Sequence, residues 1–511
     1  MKTEPRIFRN TGLISLGTLS SRILGLIREM MMAWVFGTSR VGSAFVVAFT
    51  IPNLFRRLFG EGALSAAFIP RYIRVKKESG EIEGWRLTRN VISLLILILG
   101  SISFGGMLLC TFALRLLELP TQIQEVLLSL RILLPYMIWI CLAAITMGVL
   151  NTHRKYGVPA FAPCILNLLW IFALWAVQLK PGLDSEEKVV WICWTILAAG
   201  VLQFLVQVPP LRKLGYHRDG PIEPFAPEVK QVLRLMGPAA LGAAIVQINV
   251  LTDRILALWV ADYGPLALSY SERLIYLPLG LFATALGTIL LPEFSKLAHD
   301  KNRVELGNMV DRSMRVLMFV MIPATVGLAG LAGPIVRLVF ERGQFDAEST
   351  LFTARALACY APGLMVFSAA KVFVPLYYAH GDTRTPVKIG ALSVLANLCL
   401  NLLFIYILPE GWKHAGLALG TVLASFMQVG LLAKMAGTRF ANIAWKPMWR
   451  SWARQSLCCI PMYFAARQVL SWTTEWAVWI SVPMAIGTAV VLYAGLAVLL
   501  RVPEIRELRH Q

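Results

Sequence analysis

The stretch VISLLILILGSISFGGMLLCTFALRLL, Val91–Leu117, decides the fold class. Its one charged residue is Arg115, near its end. A spanning helix needs about 20 mostly apolar residues, so this segment is long enough to cross a bilayer. Trp476–Leu500 reads the same way. The whole chain of 511 residues is 57% hydrophobic and 15% charged, with a mean hydropathy of +0.66. Soluble domains are about 45–50% apolar and about 25% charged. Lipid is therefore the expected solvent, and the expected class is an all-α polytopic membrane protein.

Working outward from Val91–Leu117, fourteen candidate spans appear: 11–36, 41–73, 87–117, 124–150, 157–180, 189–211, 228–261, 265–297, 310–331, 348–379, 386–408, 414–436, 450–471 and 476–500. Pro52 and Pro278 lie mid-span, where a missing N–H and a ring clash bend a helix. The first span follows Arg6 and Arg9, as the core of a signal peptide would. It is too long for one, carries Arg22 and Arg28, and shows no small-residue cleavage site.

The net charge of +19 does not point to nucleic acid: most basic residues sit in loops between apolar segments, and no nucleic-acid motif is present. With a cytoplasmic N-terminus, the inner ends and loops carry about 31 Lys and Arg and the outer ones about ten, as the positive-inside rule expects. An even number of spans returns the C-terminus to the cytoplasm, where Arg501, Arg506 and Arg509 agree. All eight Cys lie inside apolar segments without metal-ligand spacing and read as packing residues.

A weak internal repeat is visible. Ser21-Arg22-Ile23-Leu24-Gly25-Leu26 resembles Asp253-Arg254-Ile255-Leu256-Ala257-Leu258. Ala63-Leu64 followed by Pro70 matches Ala285-Leu286 followed by Pro292, and His153 with Pro159 matches His380 with Pro386. Similar offsets in the same order suggest a duplication. Six spans separate equivalent points, so the halves share one orientation, a parallel repeat. The predicted organisation is an N-terminal lobe over 1–220, a C-terminal lobe over 221–440 and two extra helices over 441–511. Transporters built this way bind substrate between lobes and alternate their access.

The anomaly in the apolar segments is charge. Arg22, Arg28, Glu29, Arg56, Arg57, Glu61, Asp253, Arg254, Glu272, Arg273 and Lys371 all fall inside spans, seven basic against four acidic. A charge at mid-bilayer costs about 2.5–3.5 kcal/mol on insertion scales, so these groups must face a wet cavity or a partner. Lys371 can instead snorkel towards a membrane face. One of the neighbours Arg56 and Arg57 is expected to be structural. Arg22 and Glu29, seven apart, lie nearly eclipsed and could pair. Guanidinium makes bidentate bonds to phosphate and stays charged at any working pH, so the expected substrate is an amphiphile with a phosphorylated head.

Asp253, Asn397, Asn401 and Thr421 together could supply hard oxygen ligands to a small cation such as Na⁺, the candidate coupling ion. The competing reading is that the Asn side chains join helices by hydrogen bonds. No metal centre and no other cofactor is expected. No metalloprotease pair, phosphate-binding loop or nucleophile elbow is present, which speaks against an enzyme.

Ser21-Arg22-Ile23-Leu24-Gly25-Leu26-Ile27-Arg28-Glu29 and Pro52-Asn53-Leu54-Phe55-Arg56-Arg57-Leu58-Phe59-Gly60-Glu61-Gly62-Ala63 closely resemble the lipid II flippases of the MurJ (MviN) family. So do Gly287-Thr288-Ile289-Leu290-Leu291-Pro292 and Thr385-Pro386-Val387-Lys388. The resemblance covers essentially the whole chain. It implies the fold of the multidrug and polysaccharide exporter superfamily, with two lobes and two extra helices. The implied activity is moving the undecaprenyl-diphosphate-linked peptidoglycan precursor, lipid II, from the inner to the outer leaflet of the bacterial cytoplasmic membrane. The family's cavity arginines match Arg22, Arg28, Arg56 and Arg273. Glu61 matches the acid beside the second-helix arginines, and Ser21 belongs to the same first-span motif. The resemblance also implies a lipid-tail groove on the last two helices and, in some members, a sodium site at Asp253, Asn397, Asn401 and Thr421. Ser43 stands where many members have Asp, and Glu272-Arg273 where many have Asp-Arg.

Two other transport readings stay open. A flippase for another polyprenyl-linked oligosaccharide satisfies the same physics. A multidrug cation exporter would want acids in the cavity. A membrane enzyme acting on lipid phosphates lacks its catalytic cluster.

Overall fold

The computed structural model describes residues 4–180, 182–216 and 221–504, with side chains at all of these except 4–11, 60–66, 238, 239 and 241. Every regular element among the described residues is helical. Two compact units result, Met1–Leu258 and Trp259–Gln511.

The first unit holds α1 (Glu4–Phe36), α2 (Arg40–Phe55), α3 (Ala63–Ser79), α4 (Glu81–Leu116), α5 (Thr121–Leu133), α6 (Tyr136–Thr152), α7 (Gly157–Leu179), α8 (Ser185–Leu205), α9 (Val208–Lys213) and most of α10 (Pro227–Val260). The second holds α11 (Gly264–Pro278), α12 (Thr284–His299), α13 (Arg303–Gly330), α14 (Ala332–Phe340), α15 (Ala347–Tyr360), α16 (Gly363–Ala379), α17 (Arg384–Ile407), α18 (Glu410–Arg439), α19 (Trp445–Trp472) and α20 (Val478–Leu499).

Among the described residues, nine helices are long and apolar enough to cross a membrane, or eleven if two bent pairs are each one span. The predicted spans outside that set are 11–36, 41–73 and 450–471. Each is interrupted by charge: Arg22, Arg28 and Glu29; Arg56, Arg57 and Glu61; Arg450, Arg454 and Arg467. Large apolar side chains such as Leu109 and Val491 are more than two-thirds exposed, as suits a surface solvated by lipid.

The repeat seen in sequence recurs in the elements. α6 and α16 lie 227 residues apart at both ends. Each is the second half of a bent pair: α5 meets α6 at 44°, and α15 meets α16 at 42°. Pro135 and Pro362 stand at the two breaks, where proline cannot donate the next backbone hydrogen bond. The matched histidines close the two second halves, followed by left-handed residues, Arg154 at φ 59° and Gly381 at φ 72°. The mid-span prolines act alike as well. After Pro52 the chain widens into a π-helical turn over Arg56–Gly62 before α3, and after Pro278 into one over Leu279–Ala283 before α12. Such turns concentrate at functional sites. The Phe55 carbonyl, at the edge of the first, accepts the Cys141 thiol at 3.6 Å.

Candidate functional site

In the first unit the site is built on the face that α1 turns towards α7. Gly17 lets the two helices touch, since a Cβ there would collide with the backbone of Ala160. About two turns beyond Ala160, Asn167 of α7 donates through Nδ2 to the Ser21 carbonyl at 3.1 Å. Its amide oxygen accepts from Arg28 Nη1 at 3.1 Å. Arg28 Nη2 pairs with Glu29 Oε1 at 2.6 Å. Below the guanidinium lies the Trp170 ring, 4.3 Å from Cζ, a cation–π distance. Phe45 and Phe49 of α2 pack edge-on against that indole with centroids 5.5 and 5.1 Å away. Arg28 is thus held by an amide, a carboxylate and an aromatic face, with its side chain only 12% exposed.

Sequence spacing placed Glu29 over Arg22, but the acid pairs in the structure with its neighbour Arg28. Adjacent helical residues do not face each other. The Arg arm is long enough to fold back across the helix surface. Arg22 is exposed on α1.

The wide turn carries the second group. Arg56 is half-buried and donates through Nε to Asn53 Oδ1 at 2.7 Å. Arg57 turns elsewhere and donates to Gln247 Oε1 on α10 at 3.4 Å. The Glu61 side chain lies outside the described residues. On α10, Asp253 and Arg254 are both buried, and Asp253 accepts from Asn249 at 3.4 Å. Ser43 is fully buried on α2.

In the second unit, Arg273 is half-buried on α11 beside Glu272, whose carboxylate accepts the Tyr360 hydroxyl at 3.1 Å. Lys371 is exposed, and its backbone packs against Gly287 of α12. Asn397, Asn401 and Thr421 come together between α17 and α18. Asn401 Nδ2 donates to Asn397 Oδ1 at 3.0 Å, and Asn397 Nδ2 to Thr421 Oγ1 at 3.1 Å. Gly420 makes room for them: a Cβ there would overlap the Asn401 amide oxygen. The Asn397–Thr421 bond joins α17 to α18, as the competing reading of these side chains expects. Asp253, the fourth predicted member, belongs to the first unit. No group of three or more His, Cys, Asp or Glu that could hold a metal occurs among the described residues.

Sequence reasoning missed Asn167, Trp170 and Tyr360. An amide inside the apolar run 157–180 was the available signal, because a polar side chain in a span needs a partner.

The sequence model of the family described as "Lipid II flippase MurJ" matches residues 32–487. The chain is 33% identical to the probable lipid II flippase MurJ of Rickettsia prowazekii over 430 residues, 83% of each chain. It is 35% identical to the lipid II flippase MurJ of Burkholderia cenocepacia over 422 residues, 81% of this chain and 80% of that one. A solved lipid II flippase MurJ in an inward closed conformation superposes with a TM-score of 0.78 at 26% identity, over 96% of this chain and 99% of that one. An inward-facing multidrug resistance transporter of the MOP superfamily shares the fold, at a TM-score of 0.65 and 14% identity over 81% of this chain and 96% of that one. With the family model matching most of its length, and charged groups gathered on the helices that the family motifs mark, this multi-span membrane protein belongs to the MurJ lipid II flippase family.

Proposed function

We propose that the chain flips lipid II, the undecaprenyl-diphosphate-linked peptidoglycan precursor, from the inner to the outer leaflet of the bacterial cytoplasmic membrane, and that it does so by alternating access. It is a transporter, not an enzyme. The observation that carries the reading is the match to the flippase family over residues 32–487. The Arg28 cradle gives it chemistry. Arg28 is pre-positioned by Asn167, Glu29 and Trp170, so little side-chain entropy is lost when it meets a diphosphate. Arg22, Arg56 and Arg273, with Ser21 and Glu61, complete the proposed head-group site.

The scheme takes fourteen spans: the nine apolar helices among the described residues, the two bent pairs counted as one span each, and the three segments interrupted by charge. We place them as lobes over 1–220 and 221–440 with two further helices over 441–511, both termini cytoplasmic. The tail would lie in lipid along α19 and α20, where Leu457, Ile460 and Phe464 are exposed in one stripe. Asp253, Asn397, Asn401 and Thr421 would hold Na⁺. That ion would supply a charge whose binding favours one conformation over another. Apart from lipid II and bilayer lipids, no partner enters the scheme.

A multidrug cation exporter is disfavoured by the excess of basic groups among the intramembrane charges. A flippase for another polyprenyl-linked oligosaccharide is the reading to test against. Purified protein should bind lipid II, and lipid II should be displaced by an undecaprenyl-diphosphate carrying a different glycan only at much higher concentration. Equal displacement would move the assignment to polyprenyl diphosphates in general.

A further inference from the structure

Away from the proposed head-group site, the second unit contains a largely buried charge cluster. Arg315 of α13 pairs through Nε with Asp311 Oδ2 at 2.9 Å and through Nη1 with Glu504 Oε1 at 3.2 Å. Ser451 of α19 donates its hydroxyl to the same Glu504 oxygen at 2.7 Å. Gln455, one turn along α19, donates to Ser451 Oγ at 3.2 Å and to the Arg315 carbonyl at 3.3 Å. The Glu504 side chain is fully buried.

The backbone is shaped to deliver it there. α20 ends at Leu499, Arg501 takes a left-handed conformation at φ 49°, and the Val502 N–H returns to the Ala497 carbonyl at 2.9 Å. A non-glycine residue in that region is strained, so the turn persists because its surroundings hold it. Farther along the same seam, the Tyr493 hydroxyl of α20 donates to the Phe319 carbonyl of α13 at 2.9 Å. Cys458 and Cys459 of α19 are buried, at 1% and 2% exposure.

A carboxylate is almost never fully buried without a partner. Buried ion pairs add little net stability over apolar packing, and one documented use is to fix a single arrangement. The three parts joined here are α13, α19 and the segment after α20. We propose that Glu504 is a positioning residue, a latch that fixes the two C-terminal helices on α13 so that they travel with it during transport. This rests on the flippase reading above for its purpose, but not for its geometry.

The test uses the full chain in native membranes, with Cys458 and Cys459 kept as reporters and the other six Cys replaced by Ala. Glu504→Gln preserves side-chain shape and removes the charge facing Arg315. Maleimide labelling of the two reporters should rise about tenfold, and lipid II flipping should fall by a similar factor, as expected when one partner of a buried pair is neutralised. Arg315→Gln should do the same. The double variant should be no worse than Arg315→Gln alone, because Glu504 then no longer faces a neutral partner, whereas Asp311 loses Arg315 in both. Ser451→Ala, a milder change, should shift labelling in the same direction by a smaller factor. A parallel chain keeping only Cys193, buried in the first unit, should stay protected throughout. Wild-type labelling and flipping in Glu504→Gln would overturn the latch. If Glu504→Gln exposes Cys193 as well, Ser451→Ala decides: unchanged reporters there overturn the proposal. Failure of the wild-type chain to flip lipid II would sink the functional reading alone, since the labelling difference needs no substrate.

Discussion

At the scale of single residues, Arg28 shows how a charge survives in an apolar helix. Its partners come from three directions, the Asn167 amide, the Glu29 carboxylate and the Trp170 face. A hydrogen bond to a charged group contributes about 1.5–3 kcal/mol, so Asn167→Ala should weaken lipid II binding at least about tenfold without changing protein levels in the membrane. Arg28→Lys should also fall well short of wild type, because a point charge cannot reproduce the planar fork. Ligand-binding titrations check both. The residue types were legible in the sequence: arginine in a span announces a cavity or a partner. The partners were not, since Asn167 and Trp170 lie more than a hundred positions away and no local pattern links them to Arg28. A second residue-scale prediction concerns His153, in the turn after α6. It bonds the Tyr72 hydroxyl at 2.8 Å, stacks on Trp85 with centroids 5.3 Å apart, and lies 3.4 Å from Lys76 Nζ and 3.9 Å from Glu81. Burial, and then the Lys76 charge, push its pKa below the ordinary value, against a weaker pull from Glu81. A folded-state pKa below the unfolded one means that the unfolded chain takes up the proton first. The stabilisation is therefore present above about pH 6.5 and lost as pH falls below it. Thermal melts of the purified protein should show a midpoint that drops on acidification through that range, and His153→Gln should flatten the dependence.

At the scale of elements, charge and proline decide what apolarity alone does not. Among the described residues, the predicted spans that fall outside the apolar set are those that carry Arg28, Arg56 and the basic residues of α19. Composition gave the class easily and blurred these members for one reason: a charge inside a span lowers the apolarity that identifies spans. Pro52 and Pro278 read in sequence as bends, and the structure resolves each into a wide turn, a distinction that depends on which backbone bonds re-form after the proline. The repeat was legible through three short matches. Its strongest form, the paired breaks at Pro135 and Pro362, needed coordinates, because the two prolines sit in otherwise unlike sequence. The packing of α17 on α18 gives the prediction at this scale. Gly420→Ala forces a methyl into the Asn401 amide, and such overpacking costs about 1–3 kcal/mol. The variant should melt earlier than wild type, and any stabilisation of the wild type by Na⁺ over K⁺ should be reduced with it. An unchanged Na⁺ effect would remove Asn397, Asn401 and Thr421 from the proposed ion site.

At the scale of the whole molecule, the membrane potential acts on the charges of substrate and site. Moving an anionic head outward across a potential negative inside is favoured by about 2.3 kcal/mol per charge per 100 mV, and the same field draws an emptied, positive site back inward. Collapsing the potential at constant Na⁺ should therefore slow flipping, and an unchanged rate would separate transport from the potential. Lipid II flipping by this chain can be read in cells depleted of their own lipid II flippase. The chain or its Arg28→Ala form is expressed at matched membrane levels, and an enzyme added outside cleaves only lipid II that has reached the outer face. The wild type should restore cleavage and the variant should not. Folded wild-type protein that leaves lipid II uncleaved would contradict it.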